Sequence, residues 1–346
     1  MTFIYFILVL DITILVHEFG HYLFARKNGV YIYEFSIGMG PQLYKWTSKK
    51  NPTIYSIRLF PIGGYVSMAG EDLEDQNQIP KEKQMLYKSW WQRLQILAAG
   101  VIFNFLLAIT LLFIVGLING VPSSKPVIGE ISSGYALEKT NLKVGDTITK
   151  INEKQVSSID MVTLLLQVNN GKTINFEVQH ENGKYEKIVA IPTKVENENK
   201  VSYLYGFKMQ TNYTHGILPS IKYAFYKTGS LINQMNHIIG YLITGKLSLK
   251  SLSGPVGIYQ VVGAVSKTGI SNILFLIAYL CINVGYLNFI PLPAFDGGRI
   301  LFLIIEKIKG KKISPEVENR IHSIGFLLLM ILMVVVTYND IIRLFS

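Results

Sequence analysis

The chain has 346 residues; 49% of them are hydrophobic, 16% are charged, and the mean hydropathy is +0.32. This composition argues against an ordinary soluble protein. The formal net charge of +10 would suit a nucleic-acid partner, but the basic residues are concentrated between apolar segments that are long enough to cross a membrane. We therefore exclude nucleic acid as a partner and expect the chain to be embedded in a lipid bilayer.

Four segments approach the length of about 20 apolar residues that a helix needs to cross the hydrocarbon core of a bilayer. These predicted spans are Thr2–Ala25, Leu94–Ile118, Ile273–Phe289 and Ile324–Leu344. Lys and Arg residues cluster between the first two spans and between the last two. The positive-inside rule therefore predicts that both of these loops are cytoplasmic and that both termini lie outside. The lone Cys281 lies in the third span and is predicted to be inert, without a disulfide partner.

Some of the stretches between the spans have patterns of their own. Ile57–Met68 has strand-like residues on both sides of Pro61–Gly64, which predicts a β-hairpin with a glycine turn that dips into the bilayer. The external part begins with a small α/β module at about Pro126–Thr193. Its predicted elements are strands at Thr147–Asn152, Thr173–Gln179 and Lys187–Ile191 and a helix at Ile159–Gln167. Ile217–Ile243 is amphipathic and is predicted to lie along the outer membrane surface.

The sequence His17-Glu18-Phe19-Gly20-His21 lies near the end of the first predicted span. Residues i and i+4 of a helix share a face, so His17 and His21 can direct ring nitrogens at one metal ion. Glu18 then lies beside the open coordination position, where a water would bind. Ionisable side chains inside a span are costly, and a bound divalent cation compensates for them. The pattern therefore predicts a catalytic zinc site within the membrane.

A second polar motif, at residues 288–299, begins at the end of the third predicted span. Its two prolines cannot continue a regular helix, and the two glycines after Asp296 are expected to let the chain turn. Counted along the two spans, the motif and the histidines lie at a similar depth in the membrane. A broken span that carries an acid at this depth is what a third zinc ligand requires.

Other polar residues in or near the spans leave alternatives open. Asp11 lies on nearly the same helix face as Glu18, and it either lines a water path or hydrogen-bonds a neighbouring helix. Asn104 either supports the metal site by hydrogen bonding or pairs with a neighbouring helix. The remaining histidines, which have no ligand spacing and are predicted to be solvated or interfacial, are His180, His215, His237 and His322.

These motifs resemble those of bacterial site-2 proteases, the intramembrane zinc metalloproteases that carry a PDZ domain. His17–His21 matches the zinc motif of that family, and residues 288–298 match its second motif. Pro61–Val66 is similar to its membrane re-entrant β-loop, and Ser253–Ile258 to a further signature. Leu142–Asn152 resembles the Gly-Asp turn and strand of a PDZ domain. One departure lies in the second span, where this chain has Gly-Val in place of the common Gly-Pro.

The resemblance implies Zn²⁺ as the cofactor, with His17, His21 and Asp296 as its ligands and Glu18 as the general base. It also implies that Asn288 helps to hold the substrate backbone. The further candidates for substrate contact are Pro291, Pro293, Gly63 and Gly64. The two glycines are also typical turn formers.

The predicted fold is a multi-pass α-helical membrane protein with about four transmembrane helices, a membrane-dipping β-hairpin and one external small α/β PDZ-like domain. The boundaries that follow are a first transmembrane helix with the zinc motif at 1–27, a cytoplasmic loop with a membrane-associated hairpin at 28–93, a second transmembrane helix at 94–119, an external PDZ-like domain at 120–200, an external amphipathic linker at 201–271, a third, broken transmembrane segment with the Asp ligand at 272–299, a cytoplasmic loop at 300–322 and a fourth transmembrane helix at 323–346.

The resemblance implies intramembrane proteolysis in a bacterial cytoplasmic membrane, with the zinc site toward the cytoplasm. Its substrates would be single-pass membrane proteins that have already been trimmed outside, such as an anti-sigma factor or a signal-peptide remnant. Two alternatives stay open: a membrane-anchored zinc protease with a cytosolic-facing site and a downstream Glu ligand, and a non-enzymatic PDZ adaptor. An Asp296→Asn variant tests the first alternative, and a Glu18→Gln variant tests the second.

Overall fold

A computed structural model describes residues 1–48, 52–71, 79–197 and 200–345 of the chain. Its α-helices are α1 (Thr2–Lys27), α2 (Trp90–Asn119), α3 (Ile159–Val168), α4 (Ile217–Ile243), α5 (Pro255–Val265), α6 (Ile270–Phe289), α7 (Asp296–Lys309) and α8 (Pro315–Phe345). Its β-strands are β1 (Ile32–Thr47), β2 (Ile54–Met68), β3 (Val121–Pro122), β4 (Ile128–Ile131), β5 (Thr147–Ile151), β6 (Lys154–Gln155), β7 (Ile174–Gln179), β8 (Tyr185–Ala190), β9 (Thr193–Asn197), β10 (Lys200–Leu204), β11 (Phe207–Met209) and β12 (Tyr213–Thr214). The elements form two units, one from Met1–Val115 and Leu252–Phe345 and the other from Gly116–Ser251.

Four of the described helices, α1, α2, α6 and α8, are long and apolar enough to cross a membrane. They contain the four predicted spans, which are confirmed as helices of sufficient length. Helix α8 leaves large apolar side chains such as Phe326 (61% exposed) and Leu328 (62% exposed) uncovered by protein, as expected of a helix whose outer face meets lipid. The chain is therefore a multi-pass helical membrane protein.

The break after the third span is confirmed. Helix α6 ends at Phe289, and α7 begins at Asp296 after a non-helical connection. Within this connection Ala294 has a φ of +79°, a conformation that a residue with a Cβ rarely adopts. Helix α7 then continues to Lys309, and α8 begins at Pro315, so most of the segment at 300–322, which was predicted to be a cytoplasmic loop between two spans, is helical. Basic residues indicate the side of the membrane on which a segment lies, but they do not exclude a helix.

Strands β1 and β2 form a two-stranded antiparallel sheet, and the predicted hairpin inside Ile57–Met68 is wrong. Residues on both sides of Pro61–Gly64 belong to the single strand β2 and pair with β1 instead of with each other. The register, which is irregular, sets Ile37 of β1 opposite both Ile57 and Gly64 of β2. The sequence pattern identified extended structure correctly, but it could not identify an upstream partner strand.

The second unit contains a four-stranded antiparallel sheet in the order β6-β5-β7-β8 and three strand pairs, β3 with β12, β4 with β11 and β9 with β10. Helix α3 begins at Ser158, whose side chain accepts a hydrogen bond from the backbone N–H of Met161, as an N-cap residue does. The buried core contains Ile148, Phe176 and Leu165. The predicted helix at 159–167 and the strands near 147, 174 and 187 are confirmed.

This unit extends beyond residue 200, where the sequence placed the end of the external domain. Strands β10 to β12 and helix α4 belong to it, and Tyr241 of α4 lies in its core with only 4% exposure. The ammonium of Lys227 on α4 also pairs with Asp160 at 2.5 Å. The apolar face of α4 therefore packs at least in part against protein, since amphipathic spacing predicts that one face is covered but not what covers it.

Helix α5, which carries the Ser253–Ile258 signature, is fixed at its N-terminal end by a residue from the end of α8. The Oδ2 atom of Asp340 accepts hydrogen bonds from the backbone N–H groups of Gly254 and Gly257, both at 2.8 Å. Asp340 is 3% exposed. A carboxylate at a helix N-terminus satisfies backbone donors that the helix leaves free. Cys281, which lies in the same unit as α5 and α8, is fully buried, consistent with a packing role.

Candidate metal centre

The two histidines of the first motif lie on α1 and face one point. Helical spacing brings their Nε2 atoms to within 3.2 Å of each other, and both residues are 7% exposed. The Nδ1–H of His21 donates a hydrogen bond to the backbone oxygen of Ile96 on α2 at 2.8 Å, which leaves the Nε2 lone pair of His21 free. This is the tautomer that a metal ligand requires.

Asp296, the first residue of α7, meets the histidines from the opposite end of the chain. Its Oδ2 atom lies 3.0 Å from His17 Nε2 and 3.2 Å from His21 Nε2. This oxygen is buried and has no hydrogen-bond partner. Buried polar atoms almost always have a partner. The three acceptor atoms, His17 Nε2, His21 Nε2 and Asp296 Oδ2, therefore require a bound group that interacts with all of them.

A tetrahedral zinc ion fits this arrangement. Ligand bonds of about 2.0–2.1 Å place the donor atoms of neighbouring ligands about 3.3 Å apart. The three separations here are 3.0, 3.2 and 3.2 Å. Two imidazoles and one carboxylate are also a donor set typical of catalytic zinc sites, in which the fourth position remains open. Within the described residues, this is the one cluster of at least three potential metal ligands.

Asn104 of α2 lies beside the other ring nitrogen of His17. It is fully buried, its Nδ2 is 3.4 Å from His17 Nδ1, and its Oδ1 has no partner. A half-turn of the amide group, which exchanges these two atoms, allows Oδ1 to accept a hydrogen bond from Nδ1–H. Such a bond fixes the ring with Nε2 free for a metal. The position of Asn104 favours the supporting role among the two alternatives for this residue.

Glu18 lies next to His17 on α1 and lines the same cavity as the three potential ligands. Its Oε2 atom accepts a hydrogen bond from the backbone N–H of Val66 on β2 at 3.2 Å. The sheet thus holds the carboxylate beside the centre. A carboxylate in this position can take a proton from a water molecule in the cavity.

Glycines allow two helices to approach closely at the centre. A Cβ atom on Gly20 of α1 would lie 2.6 Å from the backbone oxygen of Ala99 on α2. A Cβ atom on Gly100 would lie only 2.4 Å from His21 Nε2 and 2.8 Å from His17 Nε2. Sequence reasoning missed Gly100 as a site residue. Small residues at a helix crossing in a membrane were the available signal.

Gly297 and Gly298 have a different role from the expected one. Both lie inside helix α7, so they do not form a turn. A Cβ on Gly297 would lie 2.3 Å from the backbone oxygen of Ile290, and one on Gly298 would lie 2.4 Å from that of Leu292. The glycines therefore let the first turn of α7 pack directly on the chain that precedes it, which brings Asp296 to the histidines.

The cavity at the centre has a volume of about 580 Å³. Of the candidates for substrate contact, Asn288 lines it, and its Nδ2 donates a hydrogen bond to the backbone oxygen of Val284 at 3.0 Å. The candidates that do not line it are Pro291, Pro293, Gly63 and Gly64. Gly63 has a φ of +84°, which fits its alternative role in shaping the backbone.

Other residues that line the cavity had no predicted role. Arg299, one turn after Asp296 on α7, forms an ion pair with Glu71. His322 of α8, which was not among the predicted site residues, also lines the cavity. Arg299 is the last residue of the motif at 288–299 and lies one helical turn from Asp296, whereas His322 reaches the cavity only through the packing of α8.

Comparisons with known proteins extend over nearly the whole chain. The model for peptidase family M50 matches residues 5–332. A Bacillus subtilis protein named Regulator of sigma-W protease RasP is 34% identical, and the alignment covers 99% of each chain. Proteins named Zinc metalloprotease RasP from Bacillus licheniformis and Oceanobacillus iheyensis are 34% and 32% identical, again over 99% of each chain. The matched region includes both segments that form the centre.

Proposed function

This chain belongs to peptidase family M50 and is a zinc metalloprotease, and on that premise we propose that it hydrolyses peptide bonds within or beside the transmembrane segments of other membrane proteins. The observation that carries the proposal is the meeting of His17, His21 and Asp296 among helices that are long and apolar enough to cross a membrane. Their donor atoms have the spacing of zinc ligands. We assign the three residues as the ligands of Zn²⁺.

Glu18 serves as the general base of the reaction. Bound Zn²⁺ supplies Lewis-acid polarisation of the scissile carbonyl and lowers the pKa of a coordinated water. The Glu18 carboxylate takes a proton from the attacking water and returns it to the nitrogen of the leaving amine. The hydrogen bond from the Val66 N–H keeps the carboxylate oriented during both transfers. His21 and His17 keep Nε2 unprotonated through their Nδ1 partners on α2.

A helical substrate hides its peptide bonds, so its scissile segment must unwind before cleavage. We propose that strand β2, which lies beside the centre through Val66, binds the unwound segment by strand addition. Asn288 contributes a polar side chain to the same cavity and helps to hold the substrate backbone. The sheet formed by β1 and β2 would then lie at the membrane, where exposed backbone is tolerated only next to protein or water.

The positive-inside rule supports a topology in which both basic loops are cytoplasmic and residues 116–251 are external. In that unit, a cavity of about 770 Å³ lies beside α3 and β11. We propose that the unit is PDZ-like and acts as a filter or docking site. The substrates would be single-pass membrane proteins trimmed outside, such as an anti-sigma factor or a signal-peptide remnant. The name of the Bacillus subtilis relative refers to sigma-W regulation, which favours the first of these.

The test pairs metal analysis with cleavage of a transmembrane reporter by the purified full-length protein in proteoliposomes. A Glu18→Gln variant should retain zinc and lose cleavage by at least about a thousandfold, since the general base is removed while the ligands remain. The His215→Asn variant serves as the control because His215 is exposed and lies in the other unit. Full cleavage by Glu18→Gln would overturn the proposal and favour a non-enzymatic role.

A second variant separates this site from one that uses a downstream Glu in a cytosolic domain. Asp296→Asn should lower the zinc content together with the cleavage rate, because a neutral amide is a much weaker zinc ligand than a carboxylate. An Asp296→Asn protein with normal zinc and normal cleavage would show that the third ligand lies elsewhere.

A further inference from the structure

His322 lies on α8 and borders the cavity of the metal centre. It lines the same cavity of about 580 Å³ as His17, Glu18 and Asp296. Its ring packs near the first turn of α7, where a Cβ atom on Gly298 would lie 3.3 Å from His322 Cε1. The Phe302 ring lies 5.7 Å away, measured between ring centroids. The imidazole is therefore placed on the wall of the cavity, beside the helix that carries Asp296.

One hydrogen bond determines which nitrogen of His322 carries the proton. The backbone N–H of Ala294 donates to His322 Nδ1 at 3.0 Å. A backbone N–H can only donate, so Nδ1 must present a lone pair, and the proton of the ring is on Nε2. Rotating the ring by half a turn would replace Nδ1 by a carbon and remove this bond. Ala294 has a strained φ of +79°. The hydrogen bond from its backbone N–H to the imidazole helps to stabilise this strained backbone conformation.

The Nε2–H group that results is a donor without an acceptor. Nε2 is buried and has no hydrogen-bond partner. Buried polar atoms without a partner are rare in native proteins and call for an explanation. Two other polar side chains of the cavity already have partners: Arg299 pairs with Glu71, and Asn288 donates to the backbone oxygen of Val284.

An unwound transmembrane segment needs hydrogen-bond donors such as this Nε2–H group. Its side chains are mostly apolar, and unwinding removes the hydrogen bonds of its backbone carbonyl groups, which must find new donors because the hydrocarbon region supplies none. We propose that His322 is a substrate-binding residue whose Nε2–H donates a hydrogen bond to a backbone carbonyl oxygen of the unwound substrate segment. This inference rests on the proposed function for the nature of the substrate.

Two substitutions separate the two nitrogens. In His322→Asn, the side-chain oxygen can replace Nδ1 as the acceptor for Ala294, but no N–H reaches the position of Nε2. In His322→Gln, the amide N–H can replace Nε2–H, but the acceptor for Ala294 is lost. His215→Asn is the matched control for a histidine substitution outside the cavity, since His215 is exposed.

The experiment measures binding, zinc content and cleavage with the full-length protein in proteoliposomes. Binding of a fluorescent transmembrane reporter is measured with Glu18→Gln and with the double variant Glu18→Gln/His322→Asn, so that cleavage does not interfere. The double variant should bind the reporter about tenfold more weakly, which corresponds to one lost hydrogen bond. His322→Asn alone should keep its zinc and its Tm, and it should cleave about tenfold more slowly at subsaturating reporter. His322→Gln should retain more binding than His322→Asn.

Each contrary result has a defined meaning. Loss of zinc or of several degrees in Tm by His322→Asn would assign the residue a purely structural role and overturn the proposal. Unchanged reporter binding by the double variant would overturn it as well. These outcomes are distinct from a failure of the proposed function, which would appear as a wild-type protein that binds the reporter and does not cleave it.

Discussion

The carboxylate of Asp11 accepts a hydrogen bond from the backbone N–H of Gly63, with 2.9 Å between Oδ1 and N. Farther along nearly the same face of α1, Glu18 accepts a hydrogen bond from the Val66 N–H at 3.2 Å. Helix α1 therefore holds strand β2 through two carboxylates, one of which is the proposed general base. The partner of Asp11 is strand β2, whereas the sequence had suggested a water path or a neighbouring helix.

Asp11 helps to position strand β2, the proposed binding site of the substrate segment. Removing its carboxylate should therefore lower the cleavage rate without lowering the zinc content. An Asp11→Leu variant leaves the Gly63 N–H without its acceptor, and the loss of one such bond costs about 1–1.5 kcal/mol, or about a tenfold effect. We expect cleavage of a transmembrane reporter to fall by about tenfold while the zinc content stays at the wild-type value. Asp11→Asn retains a side-chain oxygen as acceptor and should cleave within about threefold of wild type. Equal cleavage rates for Asp11→Leu and Asp11→Asn would show that the hydrogen bond between Asp11 and Gly63 does not contribute to cleavage.

Gly100 should be needed for metal binding although it is not a ligand. An added methyl group would lie 2.4 Å from His21 Nε2, so either the imidazole or helix α2 must move. Gly100→Ala should therefore lower the zinc content and weaken the apparent zinc affinity by about tenfold or more, as loss of ligand geometry does. Zinc titration with the detergent-solubilised protein measures this. Gly285→Ala is the matched control, because its new methyl group would meet its nearest neighbour at an ordinary 3.4 Å.

A buried ion pair joins α2 to α7. Arg93 Nη1 lies 2.6 Å from Glu306 Oε2, and both side chains are less than a tenth exposed. Removal of one charge leaves the other buried and unpaired, which costs about 3–5 kcal/mol. Glu306→Gln should thus lower Tm markedly in thermal unfolding of the solubilised protein. The exposed pair of Lys208 with Glu130, at 2.9 Å, supplies the control, since Glu130→Gln should change stability by less than about 1 kcal/mol. Similar changes in Tm for Glu306→Gln and Glu130→Gln would show that burial of the Arg93–Glu306 pair does not make it more important for stability than an exposed pair.

The parts of the site that the sequence predicted are those encoded by local spacing or by length. His17 and His21 are one helical turn apart, and Asp296 could be matched to them by counting residues along two spans that cross the same bilayer. Because a transmembrane helix must cross the bilayer, the number of residues from its start gives the approximate depth of a side chain in the membrane. This constraint explains why residues so far apart in the chain could be paired without a structure.

The parts that the sequence did not predict depend on non-local contacts. Strand β2 contains the Pro61–Gly64 motif that suggested a hairpin, but its partner is the upstream strand β1. Gly100 and His322 reach the centre through the packing of α2 and α8. A glycine in an apolar span indicates a close helix crossing, but it does not indicate which residues meet there, and the neighbours of His322 in the sequence give no signal. Gly297 permits close packing inside a helix instead of the expected turn. Local patterns identify residue types, whereas helix packing decides which of them meet.

The unit formed by residues 116–251 should lose stability as the pH rises through the folded-state pKa of His180. Its Nδ1 lies 2.8 Å from Asp146 Oδ1, and its Nε2 lies 3.1 Å from Glu186 Oε2. The hydrogen bond with Asp146, followed by that with Glu186, raises the pKa of His180 above its ordinary value. A group with a raised pKa in the folded state stabilises that state fully below its unfolded pKa, which is about 6.5. This stabilisation is lost as the pH rises through the higher folded value.

Hydrogen exchange of the full-length protein can measure this effect in the amides of β5 and β7, after correction for the pH dependence of the intrinsic exchange rate. Protection of these strands should decline in the wild type as the pH rises above about 6.5, the pKa of an unperturbed histidine. It should decline less in His180→Gln, which has no titrating ring. Asp and Glu carboxylates titrate well below this range, so they do not obscure the comparison. Parallel profiles for the two proteins would mean that the ion pairs of His180 contribute nothing to the stability of this unit, because the charged and the neutral ring would then be equally compatible with the fold.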